Sequence, residues 1–221
     1  MEQVLSCLKN IPTFSEVAEA ELSALADCAT RKSFLKNNLI ISEGDPAGPL
    51  FIILSGKVRV FLDSESGKSV TLGVQKSGSY FGELSLLDEQ PRSASIITLE
   101  PTVCALIPKQ AFVNWLRDHH EAAALGVIRG LTRRIRTLTD NVRGLALYDV
   151  YTRLSKTLHE LAVVENDELV IKEKVSHQDL ANQVGSSREM VSKIMKELAT
   201  GGYLAIDGKT VRILKPLPAG W

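Results

Sequence analysis

One long segment of the chain carries apolar residues at a spacing that few folds accommodate. Between residues 124 and 145 these residues recur alternately every four and every three positions, and most positions between them are Arg, Thr, Asp or Asn. Such a period places the apolar side chains in a narrow stripe along one α-helix, as in a two-stranded coiled coil. The sequence therefore predicts a homodimer held together along this helix. The stripe consists of Ala124, Ile128, Leu131, Ile135, Leu138, Val142 and Leu145.

A hinge and a domain boundary are predicted near the end of this helix. Pro108 precedes the helical tract, which we place at about residues 109–147. Gly144 lies close to its end, and the unrestricted backbone of glycine suits a hinge between two domains. The predicted domains are residues 1–148, including the long helix, and residues 149–221. The alternative for the stripe is packing against the chain's own body, although helices used in that way usually carry a wider apolar face.

The segment before the long helix contains short β-rich runs separated by turns. Pairs such as Ser55-Gly56 and Ser77-Gly78 punctuate these runs at short intervals. Many short strands at regular spacing are typical of an antiparallel β-barrel or roll. We predict strands at residues 39–41, 50–54, 58–62, 70–74, 93–98 and 102–107, with a helix at residues 15–29 before them.

The pattern after residue 149 combines short helices with short strands. Gly185 separates two helical runs, and Asp207-Gly208 separates two β-rich runs in the manner of a hairpin turn. Helix, helix and hairpin predict a winged helix-turn-helix, so the fold class is α+β with an N-terminal antiparallel β-roll. The predicted elements are a helix at residues 151–161, a strand at 169–172, helices that begin at Ser176 and Ser186, and strands at 203–206 and 210–214.

The composition limits the class of protein. A chain of 221 residues is long enough for two domains, each with its own core. No apolar run approaches the ~20 residues that span a bilayer, and the N-terminus lacks the pattern of a secretory signal, so we expect a cytoplasmic protein without a membrane partner. The formal net charge is zero, but basic residues gather at 129–143 and 193–215, which leaves DNA open as a partner.

Cysteine and histidine spacing gives no sign of a metal centre. Cys7, Cys28 and Cys104 are far apart, and we expect reduced core thiols. The four histidines likewise lack the spacing of metal or haem ligands. We therefore expect no metal, no iron–sulfur cluster and no haem.

Residues 81–93, FGELSLLDEQPRS, combine a glycine, a carboxylate and an arginine in a short loop. A cyclic nucleotide requires a cation for its phosphate and an acceptor for its ribose hydroxyl, and Arg92 and Glu83 suit these roles. Gly82 allows close approach of backbone N–H groups, and Ser93 can add a hydroxyl donor. The alternative from chemistry alone is a loop salt bridge between Glu83 and Arg92.

The sequence FGELSLLDEQPRSAS resembles the phosphate-binding cassette of cyclic-nucleotide-binding domains. Its spacing from Glu83 to Arg92 is similar to that of protein-kinase regulatory subunits. In the cyclic AMP receptor family, adjacent Thr and Ser of the long helix hold adenine, and Leu138 and Thr139 align there. One polar contact is therefore missing, which leaves cyclic AMP, another cyclic nucleotide or an unliganded active state open. The resemblance implies a ligand site at Gly82, Glu83, Leu84, Arg92, Ser93, Arg134, Leu138 and Thr139.

Serines are predicted to start both short helices of the second domain. Ser176 with Asp179, and Ser186 with Glu189, fit the capping-box spacing. In the second helix the apolar residues lie on one face, so the polar ones near its N-terminus can meet base edges in the major groove. The alternative is that Glu189 only caps the helix or pairs with Lys193 on the surface. The polar residues of this face are Arg188, Glu189, Ser192, Lys193 and Lys196.

The sequence Ser187-Arg188-Glu189-Met190-Val191 matches the S-R-E-x-V recognition helix of the cyclic AMP receptor protein family, which residues 149–214 resemble. The resemblance implies that Arg188 and Glu189 read the G and C of a TGTGA-like half-site. Lys193 replaces an arginine of that family, which keeps the charge but loses the bidentate fork. DNA contacts are expected from Ser176, Gln178, Ser187, Arg188, Glu189, Ser192 and Lys193.

The ligand site of the first domain and the recognition helix of the second together predict a homodimeric transcription regulator controlled by a small effector. The dimer is expected to bind palindromic double-stranded DNA, with half-sites about 34 Å apart. Contact with RNA polymerase is implied by the same resemblance. Two other classes compete: a regulatory subunit without a DNA role, and an enzyme such as a phosphodiesterase. An enzyme would need a metal cluster or a nucleophile with its base, and the sequence supplies neither.

Overall fold

The computed structural model describes residues 2–118, 120–165, 168–172, 175–208 and 210–218. Contacts divide the chain into two units. The first unit consists of Met1–Leu62 and Leu72–Leu138, and the second of Asp63–Thr71 and Thr139–Trp221.

Two four-stranded sheets form the β-roll. Their strand orders are β1-β8-β3-β6 and β2-β7-β4-β5, and the pairs β1–β8, β3–β8, β3–β6, β2–β7 and β4–β7 are antiparallel. This arrangement confirms the predicted antiparallel β-roll. The strands are β1 (Thr30–Phe34), β2 (Leu39–Ile41), β3 (Leu50–Ser55), β4 (Lys57–Asp63), β5 (Ser69–Lys76), β6 (Tyr80–Phe81), β7 (Ser95–Thr98) and β8 (Thr102–Ile107).

The core of the roll follows from the continuous apolar sequence of β3. All of its residues from Leu50 to Leu54 are buried, because the strand has neighbours on both faces. The turn into β4 requires glycine: Gly56 has a φ of 95°, and a Cβ atom there would lie 2.7 Å from the carbonyl oxygen of Pro101.

The helices of the first unit lie before, within and after the roll. They are α1 (Glu2–Asn10), α2 (Glu19–Asp27), α3 (Leu84–Leu87), α4 (Lys109–Asp118) and α5 (His120–Leu147), and the part of α5 after Leu138 belongs to the second unit. The helix predicted at residues 15–29 is shorter than expected. Residues 11–17 form tight turns instead, in which Phe14 N–H donates to the Ile11 carbonyl and Val17 N–H donates to the Phe14 carbonyl. The predicted tract at about 109–147 is found as α4 and α5, and His119 lies outside the described residues.

Helix α5 presents two different faces. Ala123 and Val127 are buried in the core of the first unit, whereas most of the predicted stripe is exposed. The helix continues through Gly144, so this glycine does not interrupt it; the hinge and the domain boundary stay predictions. The exposed members of the stripe are Ile128, Ile135, Leu138, Val142 and Leu145, with exposed fractions of 38% to 64%.

The second unit contains the predicted winged helix-turn-helix. Its four-stranded sheet has the order β11-β12-β10-β9, and its core combines all three helices with that sheet. Asp149 caps the first helix, because its Oδ1 accepts a hydrogen bond from Thr152 N–H at 2.7 Å. The elements are α6 (Val150–Leu161), β9 (Val163–Glu165), β10 (Glu168–Ile171), α7 (His177–Val184), α8 (Arg188–Thr200), β11 (Leu204–Asp207) and β12 (Thr210–Ile213).

One of the two predicted capping boxes is present. Ser176 and Asp179 exchange both hydrogen bonds of the motif at the start of α7. The prediction for α8 was wrong by one residue, because Ser187 is the N-cap and accepts from Met190 N–H at 3.2 Å. Ser186 instead donates its backbone N–H to the carbonyl of Ala181, so it belongs to the C-terminal end of α7.

The three cysteines differ in their environments. Cys104 is fully buried in the roll, and burial raises the pKa of its thiol to about 12. Cys7 is half-buried, and its pKa is also raised, mainly by burial. Cys28 is exposed, so the expectation of a core thiol was wrong at this position.

Among the described helices, none combines the length and the hydropathy that a bilayer-crossing segment requires.

Candidate ligand pocket and DNA-recognition helix

A cavity of about 620 Å³ lies in the first unit, lined by the β-roll and α5. Its volume falls within the ~300–1,000 Å³ typical of small-molecule sites. Five predicted ligand residues line it: Glu83, Leu84, Ser93, Arg134 and Leu138.

Gly82 and Arg92 line a smaller space of about 20 Å³ together with Glu83 and Arg134. That space has room for about one water molecule. Glu83, Ser93 and Arg134 line both spaces, so Arg92 lies next to the residues of the main cavity wall. Thr139 is absent from the described lining of both spaces.

Glu83 brings a buried carboxylate to the cavity. The residue is 2% exposed and precedes the short helix α3. Its Oε1 accepts a hydrogen bond from Nη1 of Arg134 at 2.6 Å, while its Oε2 is buried and has no hydrogen-bond partner among the described residues. Buried carboxylate oxygens normally have donors, so this atom offers a place for a ligand hydroxyl. Among the described ion pairs, Glu83 is bound to Arg134 and not to Arg92, which differs from the loop salt bridge considered above.

Arg92 is buried and holds its loop together. Its Nη1 donates to the Gly82 carbonyl at 2.7 Å and to Ser85 Oγ at 2.9 Å, and its Nη2 donates to the Pro49 carbonyl at 2.9 Å. Burial lowers the pKa of the guanidinium, and the carboxylates of Glu83 and Asp45 act in the opposite direction. An arginine stays charged at neutral pH, so the loop carries a positive charge beside the cavity.

Gly82 must be glycine for Arg92 to take this position. Its φ is 86°, and a Cβ atom there would lie 2.5 Å from Nη1 of Arg92. The backbone conformation and the close approach of the guanidinium therefore both require the absence of a side chain.

Two cavity residues, Thr13 and Tyr80, were not predicted from the sequence. Their hydroxyl groups are 3.2 Å apart and either can donate the hydrogen bond. Burial raises the pKa of Tyr80, and the hydrogen bond with Thr13 opposes this effect, so the phenol remains neutral at pH 7. Because 67 residues separate the pair, no local pattern could indicate it.

The rest of the cavity wall is largely apolar. Leu72, Val74, Leu131 and Leu138 line it, with Thr137 as a polar neighbour on α5. Leu138 thus belongs both to the cavity wall and to the exposed stripe. A flat ring system would pack against these side chains.

The α7–α8 pair positions the predicted reading residues. Gly185 takes a left-handed conformation between the helices, with φ 62° and ψ 49°. Arg188, Glu189 and Lys193 are exposed near the start of α8. The pKa of Glu189 is lowered by hydrogen bonds from its own backbone N–H and from the Ser187 hydroxyl, so the carboxylate is ionised at neutral pH. The buried face of α8 is that predicted from spacing: Val191, Ile194, Met195 and Leu198.

The remaining predicted DNA contacts make bonds within the protein. Ser192 is half-buried, and its Oγ lies 2.8 Å from Nδ1 of His177, which links α8 to the start of α7. Gln178 donates from Nε2 to Asn182 Oδ1 at 2.9 Å and is exposed. Ser176 and Ser187 are the N-caps of α7 and α8. All seven predicted residues therefore lie on or directly before these two helices.

Within the described part of the chain, no cluster of three or more His, Cys, Asp or Glu side chains is placed to hold a metal ion.

Two family models match this chain. Residues 31–119 match the cyclic nucleotide-binding domain, and residues 152–217 match the Crp-like helix-turn-helix domain. A CRP-like cAMP-activated global transcriptional regulator of Mycobacterium tuberculosis is 30% identical over 204 residues, which cover 90% of this chain and 91% of the relative. The chain belongs to the Crp/Fnr family of transcription regulators.

Other Crp/Fnr members are similarly close. The cAMP-activated global transcriptional regulator Vfr of Pseudomonas aeruginosa is 32% identical over 85% of this chain and 90% of its own. The solved structure of the c-di-GMP responsive global regulator CLP of Xanthomonas campestris superposes with a TM-score of 0.80 at 26% identity, over 90% of this chain and 100% of that structure. This Crp/Fnr protein is thus a DNA-binding transcription regulator whose β-roll is a cyclic-nucleotide-binding domain.

Proposed function

We propose that the regulator binds a cyclic nucleotide in the 620 Å³ cavity, with Glu83 accepting the ribose hydroxyl and Arg92 and Ser93 holding the phosphate. The observation that carries this proposal is the buried Oε2 of Glu83, which has no partner among the described residues. A ribose hydroxyl supplies the donor that this atom lacks. The ligand binds beside the Glu83–Arg134 ion pair, with its phosphate directed towards the loop that carries Arg92.

The cavity favours two effector candidates. Cyclic AMP is supported by relatives described as cAMP-activated. Cyclic di-GMP is supported by the c-di-GMP responsive neighbour, and the apolar Leu138 beside Thr139 weakens the case for cyclic AMP. The large cavity and its apolar wall suit either ligand. An unliganded active state is the third alternative.

Calorimetric titration of the wild-type protein with cyclic AMP, cyclic GMP and cyclic di-GMP tests the proposal. We expect one of them to bind, and Glu83→Gln to weaken its binding at least tenfold, because a hydrogen bond to a charged acceptor contributes about 1.5–3 kcal/mol. Glu43→Gln, which alters an exposed carboxylate of the same unit, should leave affinity unchanged. Failure of all three ligands to bind, or an unaffected Glu83→Gln variant, would contradict the proposal.

We further propose that two copies join along α5 and bind a palindromic operator through α8, acting by binding and not by catalysis. The exposed stripe supports the dimer, and the exposed Arg188 and Glu189 support base reading. Contact with RNA polymerase and a cytoplasmic location are expected for a regulator that works on DNA. A gel shift on genomic fragments at low salt separates this model from a regulatory subunit without a DNA role, which predicts no retardation.

A further inference from the structure

One apolar side chain of α8 lies outside the core. Met190 is 45% exposed, whereas Val191, Ile194, Met195 and Leu198 of the same helix are buried. It directly follows Arg188 and Glu189 in the first turn. Single exposed apolar residues are common on protein surfaces, so exposure alone does not indicate a function for Met190. The position of Met190 on α8 carries the argument.

The first turn of α8 is fixed by its cap. The backbone N–H of Met190 donates to Ser187 Oγ at 3.2 Å, which fixes the backbone from which the Met190 side chain projects. Lys193 lies one turn further on, and residues three apart on a helix are neighbours. Met190 therefore stands among the side chains that face the bases in the proposed complex, where the N-terminal turns of a recognition helix contact base edges.

The major groove offers one apolar feature to such a side chain. Thymine exposes its C5-methyl group there, and no other base of ordinary DNA does so. Methionine is long, unbranched and polarisable, so it can fit its methyl thioether against this group. The charged neighbours Arg188 and Glu189 suit guanine and cytosine, and neither makes an apolar contact with thymine.

We propose that Met190 is a specificity-determining residue that contacts the C5-methyl group of one thymine in each half-site. This inference rests on the proposed reading of DNA by α8. It adds an A·T preference to the half-site that the polar residues alone would not give.

Deoxyuridine tests the contact directly, because it lacks only the methyl group. Operators are first selected from randomised duplexes with the wild-type protein, and each symmetric pair of thymines is then replaced by deoxyuridine. At one symmetric pair of thymines, we expect the affinity for the operator to fall about fourfold for each thymine replaced, as for the loss of one buried methyl-sized group. Replacing both thymines of the pair should lower the affinity roughly sixteenfold. The Met190→Ala variant should bind the thymine and deoxyuridine operators equally.

Two variants control for general damage. Met190→Leu keeps an apolar side chain of similar reach and should retain the preference for thymine. Thr200→Ala changes an exposed side chain at the C-terminal end of α8, away from the proposed reading residues, and should also retain it. The inference is overturned if the wild-type protein selects a sequence but ignores every deoxyuridine, or if Met190→Ala still discriminates. If the wild-type protein selects no sequence, the proposed DNA reading fails as well.

Discussion

Arg92 connects three parts of the first unit through one guanidinium group. Its bonds to Pro49, Gly82 and Ser85 join the entry of β3, the loop before α3 and α3 itself. The side chain expected to bind the ligand is therefore also part of the protein's internal hydrogen bonding. Its removal takes donors away from two half-buried carbonyls and one buried hydroxyl, although the Gly82 carbonyl keeps a bond from Ser85 Oγ at 3.4 Å, and this loss is costly even when no ligand is present.

We expect Arg92→Ala to lower the free energy of unfolding by about 3 kcal/mol and to abolish effector binding. Urea denaturation measures the first effect and calorimetry the second. Arg136→Ala serves as the control, because this arginine is exposed on α5 and should change neither quantity by much. An Arg92→Ala variant of wild-type stability would show that the described bonds contribute little.

At Arg188 the expected effect concerns selectivity. Arg188→Ala should remove most of the preference for the operator over a scrambled duplex, since a good base contact contributes ~1–3 kcal/mol of discrimination. Background binding should keep its steep dependence on salt, because phosphate contacts remain. Fluorescence anisotropy at several salt concentrations measures both. Unchanged base preference would remove Arg188 from the reading residues.

Helix α5 shows how one element can be constrained differently along its length. A Cβ atom at Gly126 would lie 1.8 Å from the carbonyl oxygen of Thr13, so the helix touches the segment between α1 and α2 at this point. At Gly144, in the same helix, the nearest atom would be 4.0 Å away, on the ring of Tyr148. The first glycine is required by packing, and the second is not.

Alanine at these two positions should therefore have opposite effects on stability. We expect Gly126→Ala to destabilise the protein by about 1–3 kcal/mol through overpacking. Gly144→Ala should stabilise it by roughly 0.5–1 kcal/mol, because alanine is the better helix former. Thermal or urea unfolding measures both variants. If Gly144→Ala also impairs the response to effector, the predicted hinge gains support; a destabilised Gly144→Ala would contradict the packing described here.

Sequence periodicity predicted those elements whose residues alternate or repeat clearly. The stripe of α5 is of this kind, whereas β3 was predicted from its continuous apolar run. It did not predict β1, whose sequence TRKSF is almost wholly exposed, or α3 with its four residues. The boundary between Ser186 and Ser187 was also missed, because both serines fit a cap and only the bond to Ala181 distinguishes them.

The candidate site was predictable where its residues are close in sequence. Glu83 and Arg92 belong to one loop, and their chemistry suggested a ligand. Arg134 was predicted as a site residue only from the family resemblance, and Thr13 and Tyr80 were not predicted. Contacts between residues far apart in the chain depend on tertiary packing, which local spacing does not encode.

At the scale of the whole molecule, the stripe on α5 is the strongest indication of assembly. Val142 is 64% exposed and Ile128 is 56% exposed, although both are large and apolar. Leu131 differs, because it is half-buried and packs against the core of its own chain. In the proposed dimer the exposed part of the stripe would be covered by a second copy, which presents the same surface by symmetry.

We expect the wild-type protein to sediment at twice its chain mass of 24.2 kDa, and Val142→Glu or Ile128→Glu to shift it towards monomer. A carboxylate in the stripe would face the same carboxylate of the second copy within an apolar contact, and burying such charges is costly. Arg136→Glu is a larger change in charge at an exposed position outside the stripe, and it should remain dimeric. Sedimentation velocity at several concentrations distinguishes these outcomes. A wild-type protein that is monomeric at every concentration would contradict the dimer.

The unequal environments of the three cysteines make the native chain selectively labelable. Maleimide reagents attack thiolates, and the raised pKa of Cys104 and its burial leave almost none there at neutral pH. Cys28 is exposed and should react first, ahead of the half-buried Cys7. A fluorophore or spin label could thus be introduced without mutagenesis, and in a symmetric pair the two probes would report the spacing between subunits.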